Sequence, residues 1–148
     1  MFDPEFSLDR YNLEVEAERQ SALMRKYTKR QGKFKSLLKR AQKDLDLLEG
    51  ELAEEYRRNK KEYGIQKDTD QVIFRLIKGD PKYEKQFDQM IKYQHLYDDA
   101  VSAVSSIEEK GWMIKEMVKL WLNNYYSRII VKESEVKPKR LKLNLKED

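Results

Sequence analysis

The chain lacks several features that catalytic, secreted and membrane proteins depend on. It has no cysteine, which excludes disulfides and thiolate metal sites and indicates a reducing compartment. Its one histidine, His95, has no cysteine partner, and its five glycines are scattered singly, so no phosphate-binding loop is present. No apolar run exceeds three residues, and the first residues have neither a basic region nor an apolar core. We therefore expect no enzyme, metal site, cofactor, signal peptide or membrane span, and a cytoplasmic protein.

Apolar residues are also scarce. Of 148 residues, 39% are hydrophobic and another 39% are charged, which is lean for a compact globule. Such a composition suits long helices that bury a narrow stripe, often against other copies. Only three prolines occur, Pro4, Pro81 and Pro138, and they leave two long stretches without a helix breaker.

The first long stretch predicts a helix over about residues 9–61, capped by Ser7 or Asp9. Apolar residues recur there at the a and d positions of a heptad, with Gln31 the one polar exception before Asn59. The predicted stripe consists of Met24, Tyr27, Phe34, Leu38, Ala41, Leu45, Leu48 and Leu52.

A connection over about 62–80 follows, with Gly64 as a helix stop and the apolar residues 72–77 as either a strand or a short helix. Asp80 and Pro81 then predict the start of a second helix over about 81–130. Its stripe is Tyr83, Phe87, Met90, Tyr97, Val101, Val104, Ile107, Ile114, Val118, Trp121 and Tyr125. The phase slips near Gly111, which predicts a bend or a change of packing partner. Residues 132–148 are expected to form a disordered charged tail outside a single helical domain, 1–131.

Charge is strongly segregated along the first helix. Residues 19–43 hold ten Lys or Arg and no acid, whereas residues 44–55 hold six acids and no base. Like charges at i,i+4 cost roughly 0.2–0.5 kcal/mol a pair, so a segment that tolerates them repeatedly is expected to meet an external anion, most often nucleic acid phosphate. The bases expected to bind DNA are Arg25, Lys26, Lys29, Arg30, Lys33, Lys39, Arg40 and Lys43.

The second helix is apolar around most of its circumference near residues 112–122, and a monomer of two helices cannot cover such a surface. The sequence therefore predicts oligomerisation through this segment. The residues expected to hold subunits together are Ile107, Trp112, Ile114, Met117, Val118 and Trp121.

Residues 107–117, which read Ile-Glu-Glu-Lys-Gly-Trp-Met-Ile-Lys-Glu-Met, resemble a signature of the UvsY-type recombination mediators of T-even-like phages. That signature reads roughly Ile, two variable residues, a basic residue, Gly, an aromatic, one variable residue, Ile-Lys and another apolar residue. Glu-Val-Glu-Ala at 14–17 and Lys-Tyr-Thr-Lys at 26–29 also look like that family. The resemblance covers about residues 10–127.

The resemblance implies a small helical protein that forms a homo-oligomeric ring through its C-terminal region in the cytoplasm of an infected bacterium. It further implies binding of single-stranded DNA, displacement of single-strand binding protein and loading of a recombinase. One family member carries a Lys-Ala-Arg-Leu motif late in its first helix, implicated in DNA binding. The corresponding residues here are Glu-Leu-Ala-Glu at 51–54, so DNA contact must rest on residues 25–43. The tail after Val131 has no counterpart in the family.

We therefore expect an all-α, elongated protomer of two long helices joined by a short connection, assembled into a ring that acts as a recombination mediator. Two alternatives stay open. The first is a structural coiled-coil adaptor whose basic face is incidental. The second is a protein that binds a membrane surface through its basic amphipathic helix. The acidic second half of that helix argues against the membrane alternative.

Overall fold

A computed structural model describes residues 3–123, which form three helices and no strand: α1, Leu13–Arg58; α2, Asp70–Lys78; and α3, Pro81–Leu122. The start of α1 packs on the end of α3, where Tyr27 contacts Val104 and Ile107. Tyr56, near the end of α1, packs instead with α2 and the first turn of α3. The two long helices are therefore antiparallel, and the predicted all-α architecture of two long helices is confirmed.

The heptad stripe predicted for the first helix forms the α1–α3 seam. Every predicted position is buried or half-buried, and Gln31 lies half-buried among them. The stripe is narrow because α1 packs on one long neighbour, and positions on its other side remain exposed.

α1 begins at Leu13, four residues later than the first helix was expected to start. Ser7 and Asp9 do not cap it, because their side chains stabilise turns that precede the helix. The Ser7 hydroxyl donates to the carbonyl oxygen of Pro4, and the Asp9 carboxylate accepts from the backbone of Tyr11 and the side chain of Asn12. The helix ends at Arg58, followed by turns in which Gly64 adopts a left-handed φ of 64°.

The undecided segment 72–77 is helical and lies within α2. Ile73 and Ile77, one turn apart, are each 2% exposed and pack against Leu52 and Tyr56 of α1. α3 starts where predicted: the Asp80 carboxylate accepts from the Lys82 backbone N–H at 2.8 Å, and Pro81 lies in the first turn. The predicted continuation of this helix to residue 130, and the predicted tail, lie outside the described residues.

α3 continues through Gly111 without a break, and Gly111 packs against Gln20 of α1. The helix is continuous from Pro81 to Leu122, and Gly111 itself occupies the seam position between Ile107 and Ile114. A Cβ built on Gly111 would lie 2.6 Å from Nε2 of Gln20, and that amide donates to the carbonyl oxygen of Ile107 at 2.6 Å. The apparent slip in phase arose because glycine is not counted as apolar.

The two helical glycines Gly32 and Gly111 provide a matched test of this packing. Nothing lies within 4 Å of a Cβ built on Gly32, so G32A is expected to raise the free energy of unfolding by about 1 kcal/mol, the gain in helix propensity. G111A gains the same propensity, but its Cβ forces the end of the Gln20 side chain to move and so costs the hydrogen bond to Ile107, worth about 0.5–1.5 kcal/mol. We therefore expect G111A to gain less stability than G32A in urea unfolding. Equal stabilisation by both variants would contradict the close approach.

Candidate nucleic-acid interface

All eight bases predicted to bind DNA are exposed on α1. At 100° per residue, Arg25, Lys29, Lys33, Arg40 and Lys43 fall within an arc of about 80° on the side opposite the seam. These five residues define what we call the basic face. From Arg25 to Lys43 it extends roughly 27 Å along the helix at 1.5 Å per residue.

The positive charge of this face is largely uncompensated within residues 3–123. Of the eight predicted bases, Lys26 forms an ion pair, with the Glu5 carboxylate at 2.6 Å. The Arg30 guanidinium lies 5.7 Å from the centre of the Phe34 ring. The remaining predicted bases have no carboxylate within ion-pair distance in this part of the chain. The five residues of the basic face can therefore attract phosphates without first breaking an internal ion pair.

The aromatic residues of this segment do not lie on the basic face. Tyr27 is 5% exposed and Phe34 is half-buried, both on the seam side of α1. Base stacking on these rings would require the α1–α3 hairpin to open. The arrangement therefore favours contact with the phosphate backbone, which is tolerant of sequence.

One edge of the basic segment is covered by the residues before α1. The Glu5 carboxylate accepts hydrogen bonds from Lys26 Nζ at 2.6 and 2.8 Å and from the Tyr27 hydroxyl at 2.5 Å. The bonds from Lys26 and Tyr27 lower the pKa of Glu5, while the bond to Glu5 together with burial raises the pKa of Tyr27 to about 12. Phe6 packs on the Tyr27 ring, with ring centres 5.3 Å apart. The Glu5 carboxylate is therefore bound to the Lys26 ammonium group, where a phosphate would otherwise bind.

Beneath this segment lies a buried ion pair that sequence reasoning missed. Lys110 of α3 is 4% exposed, and its Nζ lies 2.7 Å from Oε2 of Glu16 on α1 and 3.1 Å from the Glu5 carbonyl oxygen. Lys110 and Gly111 are adjacent in the segment that resembles the mediator signature, and both have structural roles here. The sequence did contain a signal that Lys110 is buried, because this residue lies between positions 107 and 111 on the side of α3 that faces α1.

The residues predicted to hold subunits together divide into two sets. Ile107 and Ile114 are 0% and 5% exposed, so both are buried inside the protomer and are not accessible to another subunit. The hairpin with α1 uses them instead. Trp112, Val118 and Trp121 are exposed at 62%, 38% and 43%, and Met117 is half-buried. Of the six predicted interface residues, these four are therefore the ones that are not buried within the protomer.

Nothing in residues 3–123 groups three or more histidine or acidic side chains where they would hold a metal ion. Within the same range, no helix is long and apolar enough to cross a membrane. No protein-family model matches the chain, and comparisons with curated proteins and with solved structures give no match.

Proposed function

We propose that the chain binds single-stranded DNA through phosphate contacts along the basic face of α1. The observation that carries the proposal is a run of ten bases without an acid, of which the five on the basic face are exposed and have no carboxylate partner among residues 3–123. Repulsion among these like charges destabilises an isolated helix pair. Binding of an anionic polymer offsets that repulsion and releases the counterions condensed on the polymer.

The preference for single strands and the role in recombination rest on the resemblance of residues 107–117 to the UvsY-type mediators. In this role the protein loads a recombinase onto single-stranded DNA in place of single-strand binding protein. It acts by binding and exchange, without catalysis. The exposed apolar residues Trp112, Met113, Val118 and Leu120 support the further proposal of a homo-oligomeric ring, because a concentration of exposed apolar side chains in one segment marks an interaction site.

The proposed binding is tested by titrating oligonucleotides of different sequence at several salt concentrations. We expect similar affinities for different single strands, weaker binding to duplex, and log K falling linearly with log salt by about 0.7 for each phosphate neutralised. An affinity insensitive to salt would contradict phosphate-directed binding.

The mediator role has its own expected result. Recombinase filament formation should accelerate on strands already coated with single-strand binding protein and change little on bare strands at low salt. Equal stimulation on coated and bare strands would contradict the mediator role while leaving DNA binding intact.

Assembly through the C-terminal part of α3 is tested with W112S/V118S, which removes two exposed apolar side chains. We expect a smaller mass by light scattering and an unchanged helical signal in circular dichroism. I114S serves as a comparison, because Ile114 is buried in the protomer and its loss should reduce stability. A W112S/V118S variant with the parent mass would exclude these residues from the interface.

A further inference from the structure

The acidic half of α1 borders a groove that the proposed DNA contact does not use. The groove has a volume of about 400 Å³ and lies between α1 and α2. Its exposed apolar lining comes from Phe74, which is 45% exposed, and from the half-buried Ala53, while Asp46 and Glu49 supply negative charge along one side. At Gly50 nothing lies within 4 Å of where a Cβ would be, so a bound segment can approach the helix backbone closely.

The charges of this groove are only partly compensated. Arg57 and Asp70 bind each other at 2.6 Å across it, but Asp46 and Glu49 have no ion pair within residues 3–123. Burial, and then the negative charges of Glu49 and Asp46, raise the pKa of Tyr83 at the start of α3. A ligand that combines apolar side chains with positive charges would therefore match both the lining and the field of the groove.

Such a segment exists in the chain itself. Residues 137–146 read Lys-Pro-Lys-Arg-Leu-Lys-Leu-Asn-Leu-Lys, with five bases and no acid. Leu141, Leu143 and Leu145 alternate with polar or basic residues, and this period of two puts apolar and basic side chains on opposite sides of an extended segment. The pattern fits a groove with an apolar lining and an acidic side.

We propose that this groove binds residues 137–146 of a second copy of the chain. α3 carries the chain about 63 Å away from the groove end of the hairpin, at 1.5 Å for each of its 42 residues. The 18 residues from Asn123 to Leu141 would reach about 60–65 Å only as a fully extended chain, which leaves no slack for a return to the groove of the same copy. A neighbouring copy is thus the occupant.

This contact is heterologous, because the tail of one copy enters the groove of the next. Repeated contacts of that kind close into a ring or continue as a filament. The contact is independent of the proposed DNA binding, since it uses Asp46 and Glu49 and leaves the basic face open.

The proposal is tested in the full-length protein by reversing charge on each side of the contact. D46K/E49K alters the groove, and K139E/R140E/K142E alters the tail. The matched control, D44K/E51K, makes the same change on the opposite side of α1. By light scattering we expect each of the first two variants to fall at least twofold in mean mass, and the control to keep the parent mass. A mixture of the groove and tail variants should regain mass, because their reversed charges are complementary.

The absence of cysteine permits a second measurement that does not depend on assembly strength. Under mild oxidation, D46C/L143C should give disulfide-linked dimers and larger species on a non-reducing gel, whereas E51C/L143C should give few. A monomeric parent, charge variants with the parent mass, a mixture that regains no mass, or equal cross-linking by both cysteine pairs would overturn the proposal. A tail variant that loses DNA affinity at unchanged mass would overturn it too, and would assign the tail to nucleic acid.

Discussion

Replacing Lys29, Lys33 and Arg40 with alanine is expected to weaken binding of single-stranded DNA about 100-fold at 0.1 M salt. Each lost phosphate contact removes about 0.7 from the slope of log K against log salt, so three contacts flatten the slope by roughly two units per protomer engaged. The fold should be unchanged, because all three side chains are exposed and alanine is the best helix former. Fluorescence titration of a labelled oligonucleotide at four or more salt concentrations measures both quantities.

Two control variants locate the effect. K82A/K85A/K92A removes three exposed bases from α3 and should leave the salt slope close to that of the parent. K137A/K139A/R140A removes three bases from the tail, which we assign to protein contact. If the tail variant loses the salt dependence and the α1 variant keeps it, the basic face is only a solvated surface. The DNA-binding site would then belong to the C-terminal tail.

The α1 seam could be read from the sequence because a heptad repeat reports directly on which side of a helix is buried. The positions from Met24 to Leu52 are spaced alternately three and four apart, and that spacing suffices when one long partner covers one side. The basic face followed from the same geometry, since residues off the seam of a two-helix hairpin have no further element to cover them.

The roles of Ile107, Ile114, Gly111 and Glu5 could not be predicted from the sequence, because they depend on which elements pack together. Ile107 and Ile114 appeared available to other subunits because a sequence does not show that α1 returns antiparallel to cover them. Gly111 appeared to interrupt the seam because pattern analysis counts side chains, whereas a seam position can be filled by the side chain opposite, here Gln20. No sequence pattern indicated that Glu5 contacts α1, because its partners Lys26 and Tyr27 lie more than twenty residues further along the chain and are reached only after the chain reverses direction.

The hairpin also explains how one helix can carry two opposite charges for different partners. Both halves of α1 use the same seam, so each is held in place by α3 whatever its outer surface carries. The basic half faces solvent directly, whereas the acidic half is flanked by α2, which creates the groove beside Asp46 and Glu49. Under the two proposals, charge segregation on α1 separates a surface for an anionic polymer from a surface for a cationic segment.

The buried ion pair beneath the N-terminal segment is expected to give the largest effect on stability. K110A removes the partner of Glu16, whose side chain is 12% exposed, and leaves that carboxylate with little access to water. Removing one member of a buried pair costs about 3–5 kcal/mol. K26A is the matched comparison, since its pair with Glu5 is largely exposed and such pairs contribute about 0–1 kcal/mol.

A double-mutant cycle in urea separates the lost ion pair from the lost volume. K110M keeps most of the buried side-chain volume but still strands Glu16, so its loss should approach that of K110A. K110M/E16L replaces both charges with apolar groups and should recover most of the stability, because a buried pair exchanged for packed apolar residues is often neutral or stabilising. Losses for K110A and K26A that agree within 1 kcal/mol would show that water reaches the Lys110–Glu16 pair, and the N-terminal segment would then contribute little to the hairpin.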